Sequence, residues 1–352
     1  MAILNMPTTQ TPPIHIPLDR FRRPLHDLRI SVMDRCNFRC PYCMPRSTFH
    51  EHYQFLKPTE RLSFEEITRL ANLFVQIGVK KLRLTGGEPL LRPNLTELIA
   101  ELGAIHGVED IALTTNGVLL EKYATELQAS GLHRITVSLD SLDPEIFKLM
   151  SGEVQGLEQV LTGLTAAQQV GLKPIKINAV IKRGVNDHTI LHLAEYFRNT
   201  EIIVRFIEYM DVGNRNQWQV QHVVPSKEIL HLIHERWPVH NVSSNYLGEV
   251  AERYRYDDGA GEIGFISSVT QPFCGNCSRA RLSSEGVFYT CLFATQGLDL
   301  KTPLRIGASD DELRAMICAA WENRVDRYSE QRSQLTTPDQ HLHKIEMYYI
   351  GG

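Results

Sequence analysis

The sequence predicts an α/β protein built on a parallel β-sheet, and three observations support this fold class. Six segments rich in β-branched and aliphatic residues alternate with amphipathic helical patterns, the order expected of strand-then-helix units. Polar residues gather where several of these strands end, and parallel sheets bind ligands at that edge. The composition, 43% hydrophobic and 22% charged over 352 residues, is that of a globular chain. Six such units can curl into a partial barrel or open into a doubly wound sheet, and the alternation leaves both possible.

The predicted strands end in turns that carry unusual residues. The first strand, residues 27–33, runs into a cysteine-rich loop, and the second, residues 81–85, ends at Gly86-Gly87-Glu88-Pro89. Ser63 and Glu66 have the spacing of a capping box that opens the helix between these strands, and Gly78 ends it. The other predicted strands cover residues 111–115, 134–140, 174–181 and 202–210, and the other helices cover residues 94–105, 118–129, 143–150, 156–170 and 188–198.

Composition and hydrophobic periodicity divide the chain into three parts. Residues 1–23 contain Pro12, Pro13 and Pro17 and no apolar stretch typical of a signal peptide, so a flexible arm is expected there. Residues 24–244 hold the strand-then-helix units. Residues 245–352 form a predicted C-terminal module, in which residues 252–256, 263–266 and 287–293 read as short antiparallel strands and residues 309–325 as a helix.

Charge and cysteine usage exclude several classes of protein. The net charge of −4 argues against a nucleic-acid binder, and no apolar run approaches the ~20 residues that span a membrane. A cytoplasmic protein is therefore expected. Six of the seven cysteines fall into two triplets, a pattern that indicates metal ligation rather than disulfides, while Cys318 lies in a helical apolar pattern and is expected in the core.

The first triplet is Cys36, Cys40 and Cys43, spaced CxxxCxxC in one loop. Three soft sulfur ligands suit an iron–sulfur cluster or a zinc ion, and both normally take a fourth ligand. Since no fourth thiol lies nearby, the spacing favours a cluster with one iron open to a reacting ligand. A structural zinc site completed by a distant His or Cys remains the alternative.

The second triplet is Cys274, Cys277 and Cys291, and it is followed closely by two arginines. Arg279 and Arg281 lie two residues apart in an extended segment, so both guanidinium groups should project from one face, as a phosphate clamp requires. Lys81 and Arg83 share a strand face in the same way. An inward-facing lysine at 176 would also need an anionic partner.

The CxxxCxxC loop after the first strand, with the GGEP turn after the second, resembles the radical S-adenosylmethionine superfamily over roughly residues 25–215. The resemblance implies a partial (βα)6 TIM-like barrel, with the C-terminal strand module closing its open face. It also implies that Cys36, Cys40 and Cys43 hold a [4Fe–4S] cluster whose open iron chelates S-adenosylmethionine. Reduction of that cofactor then yields a 5′-deoxyadenosyl radical. The implied contacts to the cofactor are Tyr42, Gly87, Glu88, Ser138 and Met210.

The second triplet with Arg279-Ala280-Arg281, the stretch 205–210 and the terminal Gly351-Gly352 resembles the GTP 3′,8-cyclase family of molybdenum cofactor biosynthesis over nearly the whole chain. That resemblance implies a second [4Fe–4S] cluster on Cys274, Cys277 and Cys291, and cyclisation of GTP to (8S)-3′,8-cyclo-7,8-dihydroguanosine 5′-triphosphate. The implied contacts to GTP are Arg29, Arg83, Thr114, Lys176, Arg205, Arg279, Ala280 and Arg281. Arg29, Gly351 and Gly352 are the implied catalytic residues, the glycines forming a tail that enters the site.

The same resemblance implies a reductant, a homodimer and transfer of the product to cyclic pyranopterin monophosphate synthase.

One difficulty lies in the sixth strand, because Arg205 and Met210 are an odd number of residues apart and would face opposite ways in a regular strand. Either the strand bends or ends before Met210, or one assignment is wrong. The alternatives are a radical enzyme that matures peptides with an auxiliary cluster, and a non-catalytic protein with two zinc sites.

Overall fold

A computed structural model of the protein describes residues 15–332 and 343–351. Its first half alternates strands and helices as the sequence predicts. The elements are β1 Asp27–Ser31, α1 Phe64–Gln76, β2 Lys81–Thr85, α2 Leu95–Gly103, β3 Asp110–Thr115, α3 Leu120–Ala129, β4 Arg134–Ser138, α4 Pro144–Ser151, α5 Leu157–Gln169, β5 Ile175–Ile181, α6 Ile190–Phe197 and β6 Ile203–Glu208.

The C-terminal half adds short strands and helices. They are α7 Ser226–Arg236, β7 Val239–Val242, β8 Glu252–Tyr256, β9 Glu262–Ile266, β10 Arg279–Leu282, β11 Val287–Tyr289, β12 Leu298–Asp299, α8 Lys301–Arg305, α9 Asp310–Glu322, α10 Tyr328–Gln331 and α11 Met347–Ile350. Nothing in the sequence had indicated α7 or β7, and the predicted strand 287–293 ends at Tyr289, where the chain turns into the loop of Cys291.

The strands of the described chain join one sheet in the order β12-β11-β10-β1-β2-β3-β4-β5-β6-β9-β8-β7. β1 to β6 pair in parallel and in chain order. The C-terminal strands extend this sheet at both edges, since β10 pairs in parallel with β1 and β9 with β6. The predicted α/β class, a partial barrel with a C-terminal strand module, is confirmed. The antiparallel pair β7 and β8 spans residue 244, so this strand pairing crosses the predicted boundary.

The two faces of the parallel strands differ sharply in chemistry. Side chains such as Leu28, Ile30, Leu82 and Leu84 point toward the helices and are fully buried in the main hydrophobic core. Each such side chain contributes roughly 1.5–3 kcal/mol through burial. The inner face instead carries charged and hydroxyl side chains, which line cavities. The barrel interior is therefore a binding space rather than a packed core.

The helix after the cysteine loop begins as predicted. The Ser63 hydroxyl accepts a hydrogen bond from the Glu66 amide, and the Glu66 carboxylate accepts one from the Ser63 amide. Ile67, Leu70, Ala71, Leu73 and Phe74 are buried along one face. Helix α1 thus covers the outside of the sheet next to the strand that carries the cysteine loop.

Of the expected flexible arm, residues 1–14 lie outside the described residues, and residues 15–23 lie against the body of the protein. Asp19 and Arg23 are 4% and 3% exposed, and each also has a partner far away in the sequence, Arg324 for Asp19 and the Cys274 carbonyl for Arg23. The prolines in this segment did not indicate its packing, because the contacts that hold it to the body of the protein come from the charged residues Asp19 and Arg23. Within the described residues, no helix combines the length and apolar character needed to cross a membrane.

Candidate active site

The site lies at the carboxyl ends of the parallel strands, where one cavity of about 320 Å³ is lined by both cysteine triplets. The six thiols are not engaged in disulfides. Residues 207–210 and Val212 at and after the end of β6, the region around Phe273, and Arg324 and Asp326 after α9 also contribute to its walls. Two sets of soft ligands that are distant in sequence therefore face the same space.

The first triplet occupies the loop after β1, and neutral donors contact the sulfur of Cys36. The backbone N–H of Phe38 lies 3.3 Å from Cys36 Sγ, and the Asn116 side-chain amide lies 3.9 Å from the same sulfur. Burial raises the pKa of Cys36 to about 12 and that of Cys40 well above its usual range. Thiolates in such surroundings need a metal's positive charge, and three sulfurs lining one cavity fit an iron–sulfur cluster.

The Gly86-Gly87 turn after β2 packs directly against this loop. A Cβ on Gly86 would clash with the Met33 carbonyl oxygen, and one on Gly87 with the carbonyl oxygen of Arg35. The Gly87 amide donates to Met33 O at 2.6 Å. Glycine is required here chiefly because two backbone segments touch, which seats the cysteine loop on the second strand.

Glu88 follows this turn and is almost completely buried. Its Oε1 accepts hydrogen bonds from the Leu90 amide and the Thr115 hydroxyl, and its Oε2 accepts one from the Asn116 amide at 2.8 Å. Burial raises the pKa of this carboxyl to about 7. Since the Asn116 amide is the one donor to Oε2 among the described residues, this oxygen can accept another hydrogen bond from a cationic ligand in the cavity.

The remaining residues implied for cofactor binding also line the large cavity. The Tyr42 hydroxyl donates to Asp140 Oδ2 at 2.7 Å, and Asp140 Oδ1 accepts from the Val180 amide. Ser138 ends β4, and Met210 lies two residues after β6. Because β6 ends at Glu208, Met210 is free of the strand's alternation. The difficulty of Arg205 and Met210 is thus resolved by the strand's end.

The second triplet has the opposite electrostatic surroundings. Guanidinium nitrogens of Arg279 and of Arg324 each lie 3.2 Å from Cys277 Sγ. Burial alone would raise the pKa of Cys277, but these two charges outweigh it and lower the pKa to about 6. A cationic cage around buried sulfur fits thiolate ligands of a metal cluster. Among the residues described, no three His, Cys, Asp or Glu side chains form a group suited to a single metal ion.

Three arginines stand side by side on neighbouring strands. Arg281 of β10 pairs in register with Arg29 of β1, and Arg29 pairs with Arg83 of β2. Burial, with the charges of Arg281 and Arg83, lowers the pKa of Arg29 well below its usual value. Like charges in adjacent register positions repel, so this row is stable only beside an anion or at an energetic cost.

A smaller recess of about 90 Å³ adjoins the large cavity and shares Arg29, Thr114 and Arg279 with it. Seven cationic side chains line the recess against three acidic ones; the cations are Arg29, Lys81, Arg83, Arg134, Lys176, Arg205 and Arg279. Arg83 donates to Thr114 and Thr136. Burial and the nearby Arg205 and Arg134 charges lower the pKa of Lys176 to about 8.

Several buried polar atoms at this recess have no hydrogen-bond partner among the described residues. They include Arg205 Nε, Arg279 Nη1 and Asn178 Oδ1. An unpaired buried donor on a cation is costly, typically about 1–3 kcal/mol or more. A polyanion with several oxygen atoms would satisfy the two arginine donors at once.

The C-terminal tail reaches the strand ends beside the row of arginines. The Gly351 carbonyl accepts a hydrogen bond from Arg281, and a Cβ on Gly351 would clash with the Thr85 hydroxyl. Upstream, the Lys344 ammonium lies 2.7 Å from Asp211 Oδ2 and fixes the segment that leads to the tail. Gly352 lies outside the described residues. Ala280 is fully buried toward the core on β10, so its side chain is turned away from both cavities.

Sequence reasoning missed several residues of this site. Asn116 and Asp140 follow strands β3 and β4, and their position at strand ends could have marked them. Arg134 could have been found by its place on the inner face of β4. Arg324 gave no local signal, because it acts on Cys277 from 47 residues away.

Comparison with known proteins agrees with this geometry. The family model of the radical SAM superfamily matches residues 30–197, and the one described as molybdenum cofactor synthesis C matches residues 202–330. The GTP 3′,8-cyclase of Xanthomonas axonopodis pv. citri is 51% identical over 334 residues, covering 95% of this chain and 98% of the relative. That of Staphylococcus haemolyticus is 47% identical over 335 residues, with 95% and 98% coverage.

Among solved structures, Streptococcus suis SuiB bound to S-adenosylmethionine superposes with a TM-score of 0.57 at 15% identity, covering 77% of this chain and 62% of that chain. SuiB bound to its precursor peptide SuiA gives 0.58 at 15% identity, with 85% and 68% coverage. At this identity the likeness shows the fold. The sequence identity over nearly the full length goes further, and the chain belongs to the GTP 3′,8-cyclase family within the radical SAM superfamily.

Proposed function

We propose that this protein cyclises GTP to (8S)-3′,8-cyclo-7,8-dihydroguanosine 5′-triphosphate in the biosynthesis of the molybdenum cofactor. The observation that carries the proposal is a single cavity that faces both cysteine triplets and adjoins the cation-lined recess. S-adenosylmethionine, a purine ring and a triphosphate each have a wall of matching chemistry there. The family's named activity supports the same assignment.

The first triplet and its neighbours form the proposed cofactor end. Cys36, Cys40 and Cys43 would hold one [4Fe–4S] cluster, which when bound supplies the electron that cleaves S-adenosylmethionine reductively. Glu88 Oε2 keeps acceptor capacity for the cofactor's ammonium group, and the carboxylate is almost completely buried. Gly87, Tyr42, Ser138 and Met210 complete this end by lining the cavity.

The second triplet forms the proposed substrate end. Cys274, Cys277 and Cys291 would hold another [4Fe–4S] cluster, facing the purine. Arg83, Lys176, Arg205 and Arg279 would bind the triphosphate in the recess. Their lowered pKa values or unpaired donors reflect an excess of buried positive charge, which a triphosphate would neutralise. Thr114 already accepts from Arg83 and would orient it.

Arg29 and the tail stand between the two ends. Arg29 lines both the cavity and the recess. Gly351 is placed next to Thr85 by its contact with Arg281, and we assign Gly352, the final residue, to the same tail. In this arrangement the tail and Arg29 would hold the ribose in position while hydrogen is taken from its 3′ carbon and that carbon bonds to C8 of the purine.

The proposal includes an external reductant that supplies electrons for two steps. One electron cleaves S-adenosylmethionine at the first cluster, and another, together with a proton, reduces the purine radical that is left when the 3′ carbon bonds to C8. The proposal also includes a homodimer, cytoplasmic operation and transfer of the product to cyclic pyranopterin monophosphate synthase. The family resemblance supports these three parts of the proposal.

The test is an anaerobic reaction of reconstituted protein with dithionite, S-adenosylmethionine and GTP. We expect 5′-deoxyadenosine to appear in step with loss of GTP, and much more slowly when GTP is omitted or replaced by ATP. Formation of 5′-deoxyadenosine at one rate with and without GTP would contradict the proposal and favour a peptide-maturing enzyme. A zinc-loaded, colourless protein after reconstitution would contradict the enzyme assignment altogether.

A further inference from the structure

The segment before β1 carries a carboxylate that is buried and fully paired. Asp19 Oδ1 accepts the backbone N–H groups of Phe21 and Arg23, each at 2.9 Å. Asp19 Oδ2 accepts from Arg23 Nε at 2.6 Å and lies 3.3 Å from Arg324 Nη1. One carboxylate from the N-terminal segment therefore holds two arginines, and Asp19, Arg23 and Arg324 form what we term the arginine clamp.

The clamp is rigid because each member is fixed by other groups. The side chains of Arg23 and Arg324 are 3% and 1% exposed, and that of Asp19 is completely buried. Arg324 stacks over the Trp321 ring at 4.5 Å, and the Trp321 indole N–H donates to the Arg23 carbonyl at 3.0 Å. Burying three charges together is costly, so a purely structural turn would not need them.

Both arginines of the clamp end on the second cysteine triplet. Arg23 Nη1 donates to the Cys274 carbonyl at 2.6 Å. Arg324 Nη1 donates to the Cys277 carbonyl at 2.7 Å, and its Nη2 lies 3.2 Å from Cys277 Sγ. The clamp thus fixes the backbone of two cysteines and places a cation directly on one sulfur.

The charges around this triplet do not cancel. Arg23, Arg324 and Arg279 contribute positive charge, while Asp19 and Asp326 contribute negative charge; Asp326 Oδ2 lies 3.4 Å from Arg324 Nε. Hydrogen bonds to cluster sulfurs and net positive surroundings favour the more negative, reduced form of an iron–sulfur cluster. Around the first triplet the sulfur contacts come from uncharged donors.

We infer that the arginine clamp is a positioning device for the second cluster, which it seats through Cys274 and Cys277 and whose reduction potential it raises. The inference rests on the proposed second cluster. It gives the N-terminal segment a role in the substrate half of the site. Arg324 adds positive charge near the sulfur, whereas Asp19 adds negative charge. Their replacements should therefore shift the reduction potential in opposite directions if the effect is electrostatic, which distinguishes it from a structural effect.

The test measures iron and sulfide content and the reduction potential of each cluster in the full-length protein, with Arg324→Gln, Arg324→Lys and Asp19→Asn. Two exposed ion-pair residues supply matched controls, Arg183→Gln and Asp257→Asn. We expect Arg324→Gln to lower the potential of the second cluster and Asp19→Asn to raise it. Arg324→Lys keeps the charge but not the planar guanidinium that contacts both the carbonyl and the sulfur of Cys277. The potential of its second cluster should therefore lie between those of the wild type and Arg324→Gln. The first cluster and both controls should not shift.

The opposite signs keep the test decisive even if one variant fails to fold, since the direction measured in the other still counts. Shifts of the same sign in Arg324→Gln and Asp19→Asn, or full iron content with unchanged potentials, would overturn the clamp's electrostatic role. Wild-type protein with about four rather than about eight iron atoms per chain would overturn the proposed second cluster instead, and the clamp's role with it.

Discussion

The two cysteine triplets share a cavity but lie in opposite electrostatic surroundings. Cys36 receives hydrogen bonds from a backbone amide and a side-chain amide, and burial raises its pKa to about 12. Cys277 is contacted by two guanidinium groups that bring its pKa down to about 6 in spite of burial. The first triplet is therefore contacted at Cys36 Sγ by uncharged donors and lies near the carboxyls of Glu88 and Asp140, whereas the second triplet is contacted at Cys277 Sγ by cations.

This difference fits the ligands proposed for the two ends. S-adenosylmethionine brings a sulfonium and an ammonium, so cations near the first triplet would repel it, whereas the buried carboxyl of Glu88 suits it. GTP brings a triphosphate, which the cationic row Arg281, Arg29 and Arg83 would attract. The fold achieves the contrast by adding β10, with its arginines, beside β1.

The largest effects should come from removing one ligand of each triplet. Cys36→Ala should abolish cleavage of S-adenosylmethionine, because the cofactor's cluster loses a ligand. Cys291→Ala should retain that cleavage while losing GTP turnover, giving 5′-deoxyadenosine without product. The ratio of deoxyadenosine to cyclised product measures this division. Replacement of Cys318, outside both triplets, serves as the control, and equal tolerance of Cys36→Ala and Cys291→Ala would break the comparison.

Arg83→Met should weaken GTP binding by roughly 10- to 150-fold, because a hydrogen bond from a charged group contributes about 1.5–3 kcal/mol. Affinity for S-adenosylmethionine should not change. Removing one of three adjacent like charges should also raise the melting temperature of the ligand-free protein. Isothermal titration and thermal melts measure these effects, with the exposed Arg183→Met as control. A similar loss of affinity for both ligands would show that the two ends are not separate.

The pH dependence of GTP binding should report on Lys176. Burial lowers its pKa from 10.5 to about 8, so above pH 8 the ligand-free protein loses this proton while the triphosphate requires the charged form. GTP affinity should fall by up to about tenfold per pH unit above pH 8. Between pH 8 and 10.5 the unfolded chain binds more protons, so the free energy of unfolding should rise with pH in the ligand-free protein.

Lys176→Met should remove both parts of this pH dependence, whereas Lys80→Met, at an exposed ion pair, should not. Fluorescence titrations and urea melts over pH 7–10 would measure them. A GTP affinity that stays flat across this range in the unmodified protein would place Lys176 outside the triphosphate site.

The smallest effect should come from Tyr42→Phe. The hydroxyl donates to Asp140, so its loss removes a bond of about 1.5–3 kcal/mol to a charged group and lowers the urea midpoint. Affinity for S-adenosylmethionine should drop only severalfold because the hydroxyl is directed at Asp140. Tyr123→Phe is a suitable control, since the Tyr123 hydroxyl makes no hydrogen bond within the described part of the chain. A loss of cofactor affinity of a hundredfold or more would show direct contact.

Sequence patterning predicted β1 to β6 because each strand carries its own alternation of core and cavity residues, as Leu28 and Arg29 do. The cysteine spacing predicted both triplets for the same reason, since the signal is local. Pairing between β1 and β10 joins residues about 250 positions apart and could not be found from local pattern. The contacts of Asp19 with Arg324 and of Arg324 with Cys277 likewise join residues that are distant in the sequence. The electrostatic contrast between the two triplets could therefore not be predicted from the sequence.

The most direct test of this division is electron paramagnetic resonance of the reduced protein titrated with each ligand separately. S-adenosylmethionine should alter the cluster signal that is lost when Cys36, Cys40 and Cys43 are replaced by alanine. GTP should alter the signal that is lost when Cys274, Cys277 and Cys291 are replaced. If both ligands alter the same signal, the two triplets do not divide the work as proposed.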